Sequence, residues 1–137
     1  PAMNRRALLL FALLSALQPA AAFAAPEVLI LAGTITNTTH EVTAPGRFEL
    51  SFDGEKIGGF LTIEAPLLAG RWPVEGTRRG AWCEIVCRQT PTTRVVFRGV
   101  LSPTDLRGTY IFGGGGEIVQ YGRFQVAIVR TSPPVRG

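Results

Sequence analysis

Catalysis by a side-chain nucleophile needs Ser, Cys or Thr beside a base, most often histidine. The chain has one histidine, His40, set in the polar run Asn37-Thr38-Thr39-His40-Glu41. That setting reads as a surface loop rather than as a base held against a nucleophile. No G-x-S-x-G elbow occurs. Paired carboxylates could serve glycoside chemistry, but Glu64, Glu75, Glu84 and Asp105 are scattered along the chain, as acids on solvated faces are. Gly113 to Gly116 is not a phosphate loop, because no Lys-Ser or Lys-Thr comes after it. The residues therefore predict a non-enzymatic protein with no metal site and no cofactor.

The two cysteines are Cys83 and Cys87. Residues four apart on a straight strand are separated by about 13 Å, whereas a disulfide needs Cα atoms within about 6.8 Å. Either Cys83-Glu84-Ile85-Val86-Cys87 bends, or both thiols stay free. An oxidising compartment favours the bent, bridged form, so a disulfide is the expectation. The spacing is not the C-x-x-C of dithiol oxidoreductases. Two thiols with His40 as the only histidine make half a metal site.

Two groups of residues could recognise a partner. Arg78 and Arg79 lie close to Trp82 and the cysteine loop, and arginine and tryptophan are common interface anchors. The Arg78–Cys87 region is thus a candidate edge for a protein or cell-envelope polymer. Trp72, Tyr110 and Tyr121 offer area with a polar handle and are candidates to line a ligand cavity.

The N-terminal residues suggest a compartment. Met3-Asn4-Arg5-Arg6 is followed by an apolar run from Ala7 to Leu14 and then by Ala22-Phe23-Ala24. That is the layout of a Sec-type secretory signal peptide, with cleavage expected after Ala24 and Ala22 as the alternative. Pro1-Ala2 reads as a cloning scar. The apolar run falls short of the roughly 20 residues that span a bilayer, so no stable membrane insertion is expected once the leader is removed. The protein is expected in the periplasm or secreted. The chain holds 14 Lys and Arg against 10 Asp and Glu. Arg5 and Arg6 belong to the leader, so the remainder is nearly neutral and no nucleic-acid partner is expected.

The chain beyond the leader must position these residues with strands. No segment shows helical periodicity over helix length. Short runs rich in Val, Ile, Phe, Thr and Tyr are broken by Gly and Pro. They predict eight strands: 27–36, 47–53, 56–64, 68–74, 80–88, 93–101, 106–113 and 117–130. Gly122 is a candidate break in the last. Asp53-Gly54 predicts a tight hairpin and Ser102-Pro103-Thr104-Asp105 a type I turn. Ala44-Pro45-Gly46 and Thr90-Pro91 read as interruptions. Alternation places Phe48, Leu50 and Phe52 on one face, Phe124, Val126 and Ile128 on another, and Val95, Phe97 and Leu101 on a third, opposed mainly by polar residues. One apolar face and one wet face per strand indicate an antiparallel sheet. Residues 25–130 form one domain, and 131–137 read as a flexible tail.

An internal echo narrows the architecture. Gly59-Phe60-Leu61 leads through a Pro-bearing turn to Gly70-Arg71-Trp72, and Gly99-Val100-Leu101 leads through another to Gly108-Thr109-Tyr110. One hairpin plan used twice, with glycines where strands coil sharply, suggests an up-and-down barrel; a two-sheet sandwich is the alternative. With its G-x-L…G-x-[WY] hairpins the chain resembles small exported meander barrels of the avidin and lipocalin kind. It is also similar to periplasmic barrels that inhibit lysozymes or proteases, and to small uncharacterised exported proteins of Gram-negative bacteria. The lipocalin G-x-W belongs near the first strand, whereas Gly70-Arg71-Trp72 is mid-chain, so no binding residue carries over. The expectation is an exported binding protein, with a carrier of a small apolar ligand as one alternative and a periplasmic enzyme inhibitor as another.

Overall fold

The computed structural model describes residues 27–115 and 118–132. The expected signal peptide lies outside the described residues, as does most of the expected tail. Eight strands succeed one another: β1 Glu27–Asn37, β2 Val42–Asp53, β3 Lys56–Ile63, β4 Gly70–Arg79, β5 Trp82–Arg88, β6 Thr93–Leu101, β7 Asp105–Gly114 and β8 Ile118–Ser132. Each pairs antiparallel with the next, and β8 pairs back onto β1 to close an up-and-down barrel. The sandwich alternative is excluded by that closure.

The register explains the alternation in the sequence. Cross-strand partners share a face, and Phe48 on β2 faces Leu31 on β1 and Leu61 on β3. The inward set is the set of buried apolar residues, among them Leu31, Phe48, Leu50, Leu61, Ile85 and Phe97. An aromatic cluster fills the centre. The Phe97 ring meets Phe48 and Phe124 edge-on, with centroids 5.2 Å apart in both pairs, and Tyr110 at 5.4 Å. Such tilted and T-shaped pairs add about 0.5–1.5 kcal/mol beyond burial alone. The middle of the barrel is therefore packed with its own side chains.

The turns fall at the two ends of the barrel. The base carries tight connections: Gly54-Glu55, Gly80-Ala81 and Ser102 to Thr104. Gly54 and Gly80 adopt φ of 59° and 58°, the left-handed region that two-residue hairpins require. At the third base turn the Ser102 hydroxyl donates to Asp105 Oδ1 at 2.8 Å and accepts the Asp105 backbone N–H at 3.0 Å. The other end, the mouth, carries the connections after β1, β3, β5 and β7, of which the first three are longer, at four to six residues.

Three sequence expectations are corrected. Ala44-Pro45-Gly46 does not interrupt pairing but lies inside β2. The Pro45 carbonyl accepts from Glu64 N at 3.1 Å, just past the end of β3, so the missing proline N–H faces a place where the ladder has already stopped. Gly122 does not break β8, which runs unbroken to Ser132. The segment Cys83 to Cys87 does not bend. It is the centre of a straight strand fully paired to β6, and both thiols are free and buried. The expected disulfide is therefore absent: the two cysteines point into the core either side of Ile85, too far apart along the strand to join.

Candidate functional site

Side chains do not fill the interior at the mouth. A partly open pocket of about 180 Å³ lies there. Its floor is Ile35, Val95, Phe97 and Tyr110; its rim is Leu67, Leu68, Phe112 and Gln89. Ile63, Asn37 and Gln120 complete the lining. Each arrives by strand parity. Asn37 continues the inward series Leu29, Leu31, Ile35 on β1, and Gln120 continues Val126, Phe124, Gly122 on β8. Their amides meet across the pocket wall, Asn37 Nδ2 donating to Gln120 Oε1. The Asn37 Oδ1 accepts the backbone N–H of His40 at 3.0 Å, which folds the β1–β2 loop back over the strand end.

Tyr110 is the only titratable group in the lining. Burial pushes its hydroxyl up to about 12, so it remains a neutral donor and acceptor at physiological pH. No buried side-chain oxygen lacks a partner among the described residues, and the Tyr110 hydroxyl bonds none of them, so it opens onto the pocket. Three amides and a phenol thus converge in a mainly apolar recess.

The residues singled out in the sequence are scattered by this geometry. Tyr110 lines the mouth. Trp72 faces inward on β4 opposite Leu61 and packs against the core, but it is not part of the pocket lining; its indole fills the space left by Gly70. Tyr121 points outward and is 55 % exposed. Arg78 and Arg79 are neighbours on one strand and so face opposite ways. Arg78 turns inward at the base opposite Cys83, its Nε donating to the Gly80 carbonyl at 2.7 Å and its guanidinium 5.3 Å from the Phe52 ring. Arg79 turns outward opposite Trp82, which is 50 % exposed.

The remaining candidates are accounted for on the surface. His40 is exposed in the β1–β2 loop. Glu84 pairs with Arg98 at 2.9 Å on the outer wall, and Asp105 is held by Ser102 and Gln125. Among the described residues no three His, Cys, Asp or Glu side chains cluster as a metal site. Sequence reasoning missed Asn37, Gln89 and Gln120 because polar residues were assigned to the wet face. Parity with the inward apolar series was the signal that could have found the first and the last. No family model, no curated protein and no solved structure matches this chain.

Proposed function

We propose that the protein is an exported, non-enzymatic binding barrel that takes a neutral, ring-sized group in its mouth. The export part of this reading rests on the leader pattern ahead of Pro26. The binding part rests on one observation: a recess of about 180 Å³ whose polar groups are all uncharged. An engineered apolar cavity of about 150 Å³ holds benzene, whereas pockets for drug-sized molecules run to about 300–1,000 Å³. The mouth suits one ring, free or carried on a larger partner, and the filled centre leaves no room for a carried apolar tail. A charged ligand would lose its hydration without gaining a counter-ion there, so a neutral ring with one hydroxyl or amide is the favoured class. Eight or so heavy atoms of this kind support a Kd from about 10 µM to 1 mM.

A titration monitored by NMR tests it, with phenol, indole and a neutral monosaccharide as probes. Saturable shifts should map to Asn37, Tyr110, Phe112 and Gln120. Leu68 stands 62 % exposed at the rim, so Leu68→Trp should block the mouth without disturbing the core and abolish those shifts. If none of the three probes perturbs the mouth at about 20 mM, well above the expected Kd, the proposal fails.

A second reading is docking of a macromolecular partner or a target enzyme on the outer wall. Its support is the exposed pair Arg79 and Trp82, beside Val100 on β6. Arg78 and both cysteines drop out of that surface because they face the core. An Arg79→Ala and Trp82→Ala double variant should then lose a captured partner while its Tm stays within a few degrees of the parent.

A further inference from the structure

The outer wall does not carry charge evenly. On β1 to β4 three outward cations have acids beside them: Glu49 lies 3.6 Å from Arg47 and 3.4 Å from Arg71, and Lys56 sits opposite Asp53; Arg79, opposite Trp82, is the exception. On β5 to β8 the outward residues include Arg88, Arg94, Arg98, Arg107 and Arg123, and only Arg98 has a carboxylate within ion-pair distance among the described residues.

Two of these arginines share one depression. A groove of about 340 Å³ between β1, β7 and β8 is walled by Arg107, Arg123, Gln125 and the threonines Thr34, Thr36 and Thr109. Arg107 is the cross-strand partner of Gln125, and Arg123 is the partner of Thr109. The two arginines are therefore diagonal neighbours, with Cα atoms roughly 7–8 Å apart. The carboxylate that could serve them, Asp105, is two residues from Arg107 but accepts from Ser102 at 2.8 Å and from Gln125 at 3.3 Å. Thr36 is engaged with Thr43, whereas among the described residues no side-chain partner engages the hydroxyls of Thr34 and Thr109 at the groove. Two like charges set diagonally on a sheet repel. Forked guanidinium donors flanked by hydroxyls match the oxygens of phosphate or sulfate, which guanidinium binds bidentately.

We propose that the Arg107–Arg123 groove is a binding site for a tetrahedral oxyanion, a phosphate or sulfate group, independent of the mouth. The group can be a free ion, or it can be borne on a polymer or a lipid headgroup; the chemistry at the groove is the same. The site adds a charged specificity to a barrel whose mouth is neutral.

Titration at low salt tests it, in three arms: inorganic phosphate and sulfate, dextran sulfate, and vesicles of 30 % phosphatidylglycerol in phosphatidylcholine. Arg107→Gln and Arg123→Gln should each weaken binding about tenfold with unchanged Tm, since both side chains are exposed. Arg94→Gln removes an equal charge from the same wall outside the groove and should change affinity less than twofold. Arginine-dependent binding of free ions places the site's ligand in solution. The same dependence in the dextran or vesicle arm alone places the group on that carrier. Absence of binding in all three arms overturns the proposal. So does binding that falls equally in all three variants, which would mean a diffuse basic wall and no site.

Discussion

The ring of Tyr110 on β7 lies over the bare Cα of Gly122, its cross-strand partner on β8. A methyl group at position 122 would collide with that ring and with the Thr36 carbonyl. The contact joins the closure of the barrel to the mouth, because Tyr110 lines the pocket and Thr36 belongs to β1, the strand that β8 must reach to close the sheet. Gly122→Ala should therefore cost about 1–3 kcal/mol through overpacking, a clear fall in Tm for a domain of this size. It should also shift the Tyr110 ring resonances. A variant as stable as the parent would mean that the strands approach less closely than this contact requires.

Phe97 is the hub of the core, in ring contact with Phe48, Phe124 and Tyr110. Phe97→Ala removes a fully buried ring and leaves a cavity among three others, at a cost of about 3–5 kcal/mol. That is a large part of the roughly 5–15 kcal/mol typical of a domain. Phe97→Leu keeps most of the volume and should cost about 1–2 kcal/mol. Urea denaturation of the two variants checks the order. Equal losses would show that ring geometry, not volume, sets the energy.

These same residues show how far the chain could be read. Phe48, Leu50 and Phe52 alternate strictly with polar neighbours, so period and face were visible at once, and Asp53-Gly54 announced its own turn. Closure was visible only indirectly, through glycines repeated at matched hairpin positions. Gly59, at φ 140° and pressed against the β2 backbone, shows why such a position takes no side chain. The candidate site was poorly legible for a physical reason. Asn37 and Gln120 are polar residues on the inward face, and local pattern alone assigns polarity to solvent. Arg78 failed the opposite way: adjacency to Arg79 in sequence meant separation across the wall.

The state of the two thiols has a direct consequence. Cys83 and Cys87 are both almost wholly buried, and burial pushes both thiol pKa values up, opposed at Cys83 by the nearby Arg78 charge. A thiol that is neither ionised nor accessible reacts slowly. The folded protein should resist a thiol-reactive dye at pH 8 and take up two equivalents after denaturation without any reductant. Addition of reductant should leave Tm unchanged. A Tm that drops on reduction would show a bridge joining these cysteines.

Alkaline pH should unfold the barrel from within. Cys87 is raised from an ordinary 9.0 to about 11, and Tyr110 from 10.0 to about 12, each by desolvation of the charged form. Folded, both groups hold their protons more tightly than unfolded. Their contribution is complete below pH 9, begins to fall as the unfolded thiol titrates, and is gone once the pH has risen through about 11 for Cys87 and about 12 for Tyr110. A two-unit shift corresponds to about 2–3 kcal/mol per group, enough together to consume much of a typical stability. Urea midpoints should be flat from pH 7 to 8.5 and decline steeply above pH 10. Cys87→Ala should lessen the earlier part of that decline, leaving the share that Cys83 contributes, and leave the later, tyrosine part in place. A midpoint that held steady to pH 11.5 would mean that both groups ionise in contact with water, and that the mouth is wetter around Tyr110 than its burial implies.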